Sequence, residues 1–165
     1  MWRRRQKADV LDIKQVGWPL LRKATAYQLQ HWAFLVTLDA LQTVRQHVRL
    51  NEYERDWFSD LLTPVLRQQG YEAARETAAY WLAHLRPPPK RIRGLVEEML
   101  LDDKLPGQMR EAALRVAENA ALLVQGACSR EVAADYQLSQ LAWLERVVVD
   151  VAIPVATPGD GDGRA

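Results

Sequence analysis

His47-Val48-Arg49-Leu50-Asn51-Glu52-Tyr53-Glu54 and Gln125-Gly126-Ala127-Cys128-Ser129-Arg130-Glu131-Val132 decide the fold. In each stretch a long apolar-periodic segment stops, an aliphatic or thiol side chain follows, and Asn51 or Ser129 stands where a new helix starts. Asn and Ser side chains accept hydrogen bonds from the backbone N–H groups that the first turn of a helix leaves without partners. Two such corners predict an all-α protein, a compact bundle of about six helices, and suggest two related helix–loop–helix halves.

Ahead of the first corner, Thr25-Ala26-Tyr27-Gln28 has the form of a capping box. It predicts a long helix over about 25–47. Tyr27, Phe34, Leu38, Leu41 and Val48 recur at helical spacing, and Leu35 and Val36 widen that stripe enough to suggest a central helix. After the corner, Asn51 with Glu54 opens a second helix that Gly70 can close, with Pro64 expected to kink it. Trp57, Phe58, Leu61, Leu62 and Val65 form its inward face. A third helix over about 72–85 buries Ala74, Ala78, Trp81, Leu82 and Leu85.

Pro87-Pro88-Pro89 imposes an extended, stiff connector and is the candidate hinge between halves. Beyond it, a fourth helix is expected over 91–103, with Ile92, Leu95, Val96 and Met99 inward. Pro106 suits the first turn of a fifth helix, whose core face reads Met109, Ala113, Val116, Ala120 and Leu123. The last helix starts after Ser129 and continues through Leu141, Leu144, Val148 and Val151. A shift of 78 residues places Asn51 on Ser129 and Val44 on Leu122. Residues 1–18 read as a basic arm, 19–153 as a single helical domain and 154–165 as a disordered tail.

Composition narrows the function classes. With 22 basic against 21 acidic residues, no global field draws the chain to nucleic acid or acidic lipid. One cysteine, Cys128, allows no internal disulfide and fits a reducing compartment. The start Trp2-Arg3-Arg4-Arg5-Gln6-Lys7 is followed by no apolar run of signal-peptide form, so a cytoplasmic location without a membrane span is expected.

Motifs for catalysis are sparse. His31, His47 and His84 have no acidic residue at i−3, and no His-Glu-x-x-His or cysteine pair occurs. His31 reads as a satisfied, partly buried histidine, and Asp39 as facing water. Cys128 precedes a helix N-terminus, which can favour a thiolate, yet no histidine lies near it in sequence. Lys90, Arg91 and Arg93 could bind phosphates, although solvated basic ends are commoner. Glu97, Glu98, Asp102 and Asp103 gather near a helix C-terminus, where the dipole disfavours anions, and form an acidic face. Trp32 falls beside the polar stripe of the first long helix; exposed, it would anchor a protein contact.

The two corners carry a family likeness. The segment 110–144 resembles the repeat of the TerB-like tellurite-resistance family, in which a helix ends in Asp-Gly-x-Val/Ile-Ser and an acidic helix follows. The family's loop Asp is His47 in one half and Gln125 in the other, and its Gly persists only as Gly126. The resemblance implies an all-helical, stress-associated or partner-binding domain without established catalysis. It also implies a weak metal site on acidic loop residues, with Glu54 and Glu131 near the family's acidic position.

The expectation is therefore a non-enzymatic helical interaction domain without a cofactor, binding a protein partner through Trp32, Glu97, Glu98, Asp102 and Asp103, with homo-oligomers left open. It predicts an apolar or acidic groove between the halves. The alternative is a DNA-binding regulator with a helix-turn-helix over 130–147, in which Gln137 holds the turn and Ser139, Gln140 and Arg146 protrude.

Overall fold

Thr25 and Gln28 form the reciprocal box their spacing predicts: the Gln28 N–H donates to Thr25 Oγ1 at 3.1 Å and the Thr25 N–H to Gln28 Oε1 at 2.9 Å. The computed structural model describes residues 11–149. The rest of the expected basic arm, Val151 and the tail over 154–165 lie outside the described residues. The described chain forms α1 (Ile13–Val16), α2 (Trp18–Leu21), α3 (Ala26–His47), α4 (Glu52–Leu66), α5 (Tyr71–His84), α6 (Arg93–Glu98), α7 (Met109–Ala127) and α8 (Arg130–Val149), with no strand among these residues. The all-α bundle is thus as expected. No helix among the described residues is long and apolar enough to cross a membrane.

α3 is the axis. Every residue from Trp32 to Leu41 is buried, because α7 and α8 pack on it from two sides and the α4–α5 hairpin covers more of it. Trp32, Trp57, Trp143, Phe34 and Phe58 are among the largest fully buried side chains. Each large side chain so buried contributes about 1.5–3 kcal/mol to stability. Ala112, Ala113, Ala117 and Ala120 are buried too, and their small side chains let α7 lie close against α3.

Several expectations are corrected. Residues 11–18 do not hang free: Ile13 is buried, and Leu11 exchanges hydrogen bonds with the Gln137 side chain. Gly17 permits this docking, since a Cβ there would come within 3.1 Å of a Leu144 methyl and 2.9 Å of the Ile13 carbonyl. α4 ends at Leu66, soon after Pro64, so Gly70 does not close it. With φ +97, Gly70 instead opens α5.

The expected fourth helix is split into a 3-10 turn at Lys90–Ile92 and the short α6. Leu101 then adopts φ 53, in the left-handed region that side chains rarely occupy. Its turn is held from outside, because Gln30 Nε2 donates to the carbonyls of Leu100 (3.1 Å) and Leu101 (3.4 Å), and Arg75 donates to that of Leu100 at 2.9 Å.

The polyproline connector is clamped rather than hinged. Tyr53 Oη donates to the Pro87 carbonyl, Trp57 Nε1 to that of Arg86 at 2.9 Å, and Arg93 to that of Pro88 at 3.0 Å.

The 78-residue register also shifts. Val48 and Cys128 are the equivalent helix ends, each donating its N–H to a valine carbonyl four residues back (Val44 and Val124), which is an offset of 80 residues. The first loop is two residues longer than the second, so the caps alone keep the offset of 78.

Candidate partner-binding groove

Three of the four residues of the expected acidic face over 97–103, Glu97, Asp102 and Asp103, border a groove. α5 and the chain that follows α6 lie side by side and leave an open groove of about 500 Å³. Leu82, Ala83 and Pro88 line it from the first half and the connector; Val96, Leu100 and Leu101 line it from the second. Glu97, Asp102 and Asp103 stand among its lining residues, and no basic side chain does. Val96 and Leu101 are buried, Leu82, Pro88 and Leu100 half-buried, and Ala83, Glu97, Asp102 and Asp103 exposed. Its lining residues come from both sides of the polyproline connector.

The carboxylates differ in freedom. Asp102 is tied to Arg75, which also donates to the Leu100 carbonyl, so that ion pair also fixes the Leu101 turn. Asp103 lies 3.8 Å from its neighbour Lys104, a loose exposed contact. Glu98 reaches Arg115 at 3.4 Å on the opposite side of α6. Glu97 makes no ion pair among the described residues and lines both this groove and a second one. The second groove, of about 540 Å³, includes Leu95, Leu122 and Leu123 but is lined by Arg91 and Arg115 as well as Glu97 and Glu98, so its charge is balanced.

Trp32 must be removed from the set of partner-contacting residues. It is fully buried, with Nε1 donating to the Gln140 carbonyl at 3.0 Å. Asp39, expected in water, is also buried and accepts from Trp143 Nε1 at 3.3 Å. Burial pushes its carboxyl up to about 6 against the pull of hydrogen bonds from Trp143 and Ser139. Together with Tyr136, which donates to the Val36 carbonyl at 2.6 Å, and Gln140, which donates to that of Ala117 at 2.9 Å, these groups form a polar seam joining α3, α7 and α8.

The metal expectation fails on its donors. Both Glu54 oxygens are occupied: Arg91 Nε donates at 2.8 Å and Arg91 Nη2 at 3.1 Å, and the Asn51 N–H shares Oε1 at 3.1 Å. Arg91 accordingly holds the Glu54 carboxyl below the usual range. Glu131 is exposed in the first turn of α8, and no group of three or more His, Cys, Asp or Glu among the described residues could hold a metal ion.

The helix-turn-helix reading also fails, since α8 runs unbroken from Arg130 to Val149. Gln137 faces Leu11, Gln140 is fully buried, and Arg146 lies over the Trp143 ring at 5.5 Å. The basic residues beside the prolines are structural as well, with Arg91 on Glu54 and Arg93 on the Pro88 carbonyl.

Cys128 is half-buried, and burial pushes its thiol up, away from the reactive thiolate. His47 and His84 bond to carbonyls of their own helices. His31 stacks on Tyr71 at 3.9 Å, and burial takes its pKa down to about 4. Contrary to expectation its Nε2 has no hydrogen-bond partner.

Comparisons with protein families, with curated proteins and with solved structures found no match.

The sequence expectation put Glu97, Glu98, Asp102 and Asp103 on one acidic face. The structure brings Glu97, Asp102 and Asp103 to this groove and leaves Glu98 on Arg115, outside its lining, and the apolar floor was not disclosed at all. That floor joins residues from α5 with Val96 of α6 and residues after it, and the signal for it was Leu101, an apolar residue off the inward stripe of the expected fourth helix.

Proposed function

We propose that this chain is a non-enzymatic helical interaction domain, of TerB-like kind, that binds a protein partner in the groove between α5 and the chain after α6. The observation that carries the reading is an open apolar floor bounded by carboxylates, on a molecule whose buried polar groups otherwise serve packing. Exposed apolar surface rimmed by polar residues marks interaction sites on soluble proteins. The TerB-like kinship is supported by the two capped corners, and the single cysteine supports work in the cytoplasm. The metal site that the resemblance implied is not carried into the proposal, because the Glu54 oxygens are already satisfied.

Site-specific photo-crosslinking tests it. A photoreactive residue at Ala83, which is exposed on α5, should trap a discrete partner in the source cell. A neighbouring Leu82→Arg change, which narrows the groove, should abolish the adduct. Because Leu82 is half-buried against the core, a native-like circular dichroism spectrum at the crosslinking temperature is the control for folding. A partner trapped equally well from a photoreactive residue at exposed Glu118 on α7, and indifferent to Leu82→Arg, would overturn the reading.

A further inference from the structure

We infer that the occupant of the α5–α6 groove is a basic amphipathic helix of a partner protein, with its apolar face on the floor and Lys or Arg at the lip. This rests on the reading of the groove as a docking site and adds the chemistry of what docks.

Charge complementarity carries the choice. The groove is lined by Glu97, Asp102 and Asp103 and by no Lys, Arg or His. Arg75 answers Asp102 and Lys104 lies 3.8 Å from Asp103 in a loose, exposed contact, so the negative charge left at the lip is centred on Glu97. An acidic segment would meet like charges there, and an uncharged one would leave the field unused. Glu97 is the carboxylate best placed to receive a cation, since it is exposed and makes no ion pair among the described residues.

Shape points the same way. The floor gathers the aliphatic side chains of Leu82 on α5, Val96 on α6 and Leu100 and Leu101 in the turn that follows, with Leu82 and Leu100 the more exposed. Such a floor accepts anchors spaced i, i+3 or i+4 on a docked helix. The floor is also preset. Leu101 is held in a left-handed conformation by Gln30 and Arg75, and the same Arg75 fixes Asp102, so one set of contacts positions both floor and lip. A site so ordered loses little conformational entropy on binding.

The test uses the full chain and three fluorescein-labelled synthetic peptides, each of about four helical turns. One has Leu on one helical face and Lys elsewhere; the second replaces every Lys by Glu; the third scrambles the first. Anisotropy should show saturable binding of the Leu/Lys helix and at least tenfold weaker binding of the other two. The double variant Glu97→Lys with Asp103→Lys should weaken the Leu/Lys helix at least tenfold and instead accept the Leu/Glu helix, with an unaltered melt. Charge reversal at exposed Glu131, far along the sequence on α8, should change nothing.

Equal binding of all three peptides, or indifference to the double variant, would overturn the inference. So would a tenfold gain on removing residues 1–10, which would make the chain's own Arg3-Arg4-Arg5 segment the occupant. Dimerisation that competes with the peptide would equally overturn it in favour of a second copy. A crosslinked partner that depends on Leu82, combined with no binding of the Leu/Lys helix, would sink the basic helix and leave the docking groove standing. Failure of both experiments would remove both.

Discussion

Both corners start a helix on a side-chain cap, a reciprocal box at Asn51 and a single bond to Ser129 Oγ, and the two grip different things. After the first, Tyr53, Glu54 and Trp57 in the opening turns of α4 hold the polyproline connector, through the Pro87 and Arg86 carbonyls and the Arg91 guanidinium. After the second, α8 leaves Arg130 and Glu131 exposed and grips α3 and α7 further along, through Tyr136, Gln140 and Trp143. A cap fixes where a helix begins; what the next two turns touch decides what the corner is for. Through its grip on the connector, the first corner places α6 and hence the groove.

Removing the acid that follows each cap separates the two corners most strongly. Glu54→Ala removes a box contact and a partly buried pair with Arg91, and should cost about 2–3 kcal/mol in urea denaturation. Glu131→Ala on the exposed turn of α8 should cost less than about 0.5 kcal/mol. Equal losses would mean that the corners do equivalent work.

The second grip contains a weakness that a conservative change should relieve. Asp39 is ionised at pH 7 although its folded-state pKa is raised to about 6, so its charge opposes folding there. Asp39→Asn keeps an acceptor for Trp143 and should stabilise the protein by about 2 kcal/mol at neutral pH. The pH dependence follows by sign. In the wild type, the Asp39 penalty is present above pH 6 and disappears as pH falls from about 6 towards 3.8. His31 acts oppositely: the unfolded chain protonates it near 6.5 and the folded one only near 4, so stability falls through that window. The two effects offset each other between pH 4 and 6. Asp39→Asn should therefore steepen acid destabilisation, read from midpoints of urea curves at several pH values; an unaltered slope would refute the assignment.

Smaller effects sharpen the contrast in the caps themselves. Asn51 sits in a reciprocal box, and Asn51→Ala should cost about 1 kcal/mol. Ser129 accepts a longer bond of 3.2 Å from the Val132 N–H, and Ser129→Ala should cost about 0.5 kcal/mol. The smallest change belongs to Glu97→Lys, which should move the melt by less than about 1 °C, because the side chain is exposed and makes no ion pair among the described residues.

What could be read from the sequence was local. Thr25, Asn51 and Ser129 announce helix starts because capping involves residues three apart. The core face of α4 follows from period alone, whereas that of α7 does so only in part, since Val124 is buried and the expected Leu123 is half-buried. Trp32 and Asp39 are misplaced for one reason, which does not extend to Tyr27, expected on the inward stripe but exposed. Periodicity puts Trp32 and Asp39 outward only if a helix has one buried side, whereas α3 is enclosed by α7, α8 and the α4–α5 hairpin. The shortened α6 was hidden for a related reason. Its end is set by Gln30 and Arg75, 70 and 25 residues away from the Leu100 carbonyl they share. The groove depends on that same long-range contact, so its acids were visible and its floor was not.

The central claim is that a surface groove, rather than a reaction centre, does this protein's work. Methyl-resolved NMR during titration with the Leu/Lys helix tests it most directly. The account predicts saturable shifts confined to Leu82, Val96, Leu100 and Leu101, with Leu62 and Val65 in the α4 core unmoved. Shifts centred on the α4 core, or none at any peptide concentration, would contradict it.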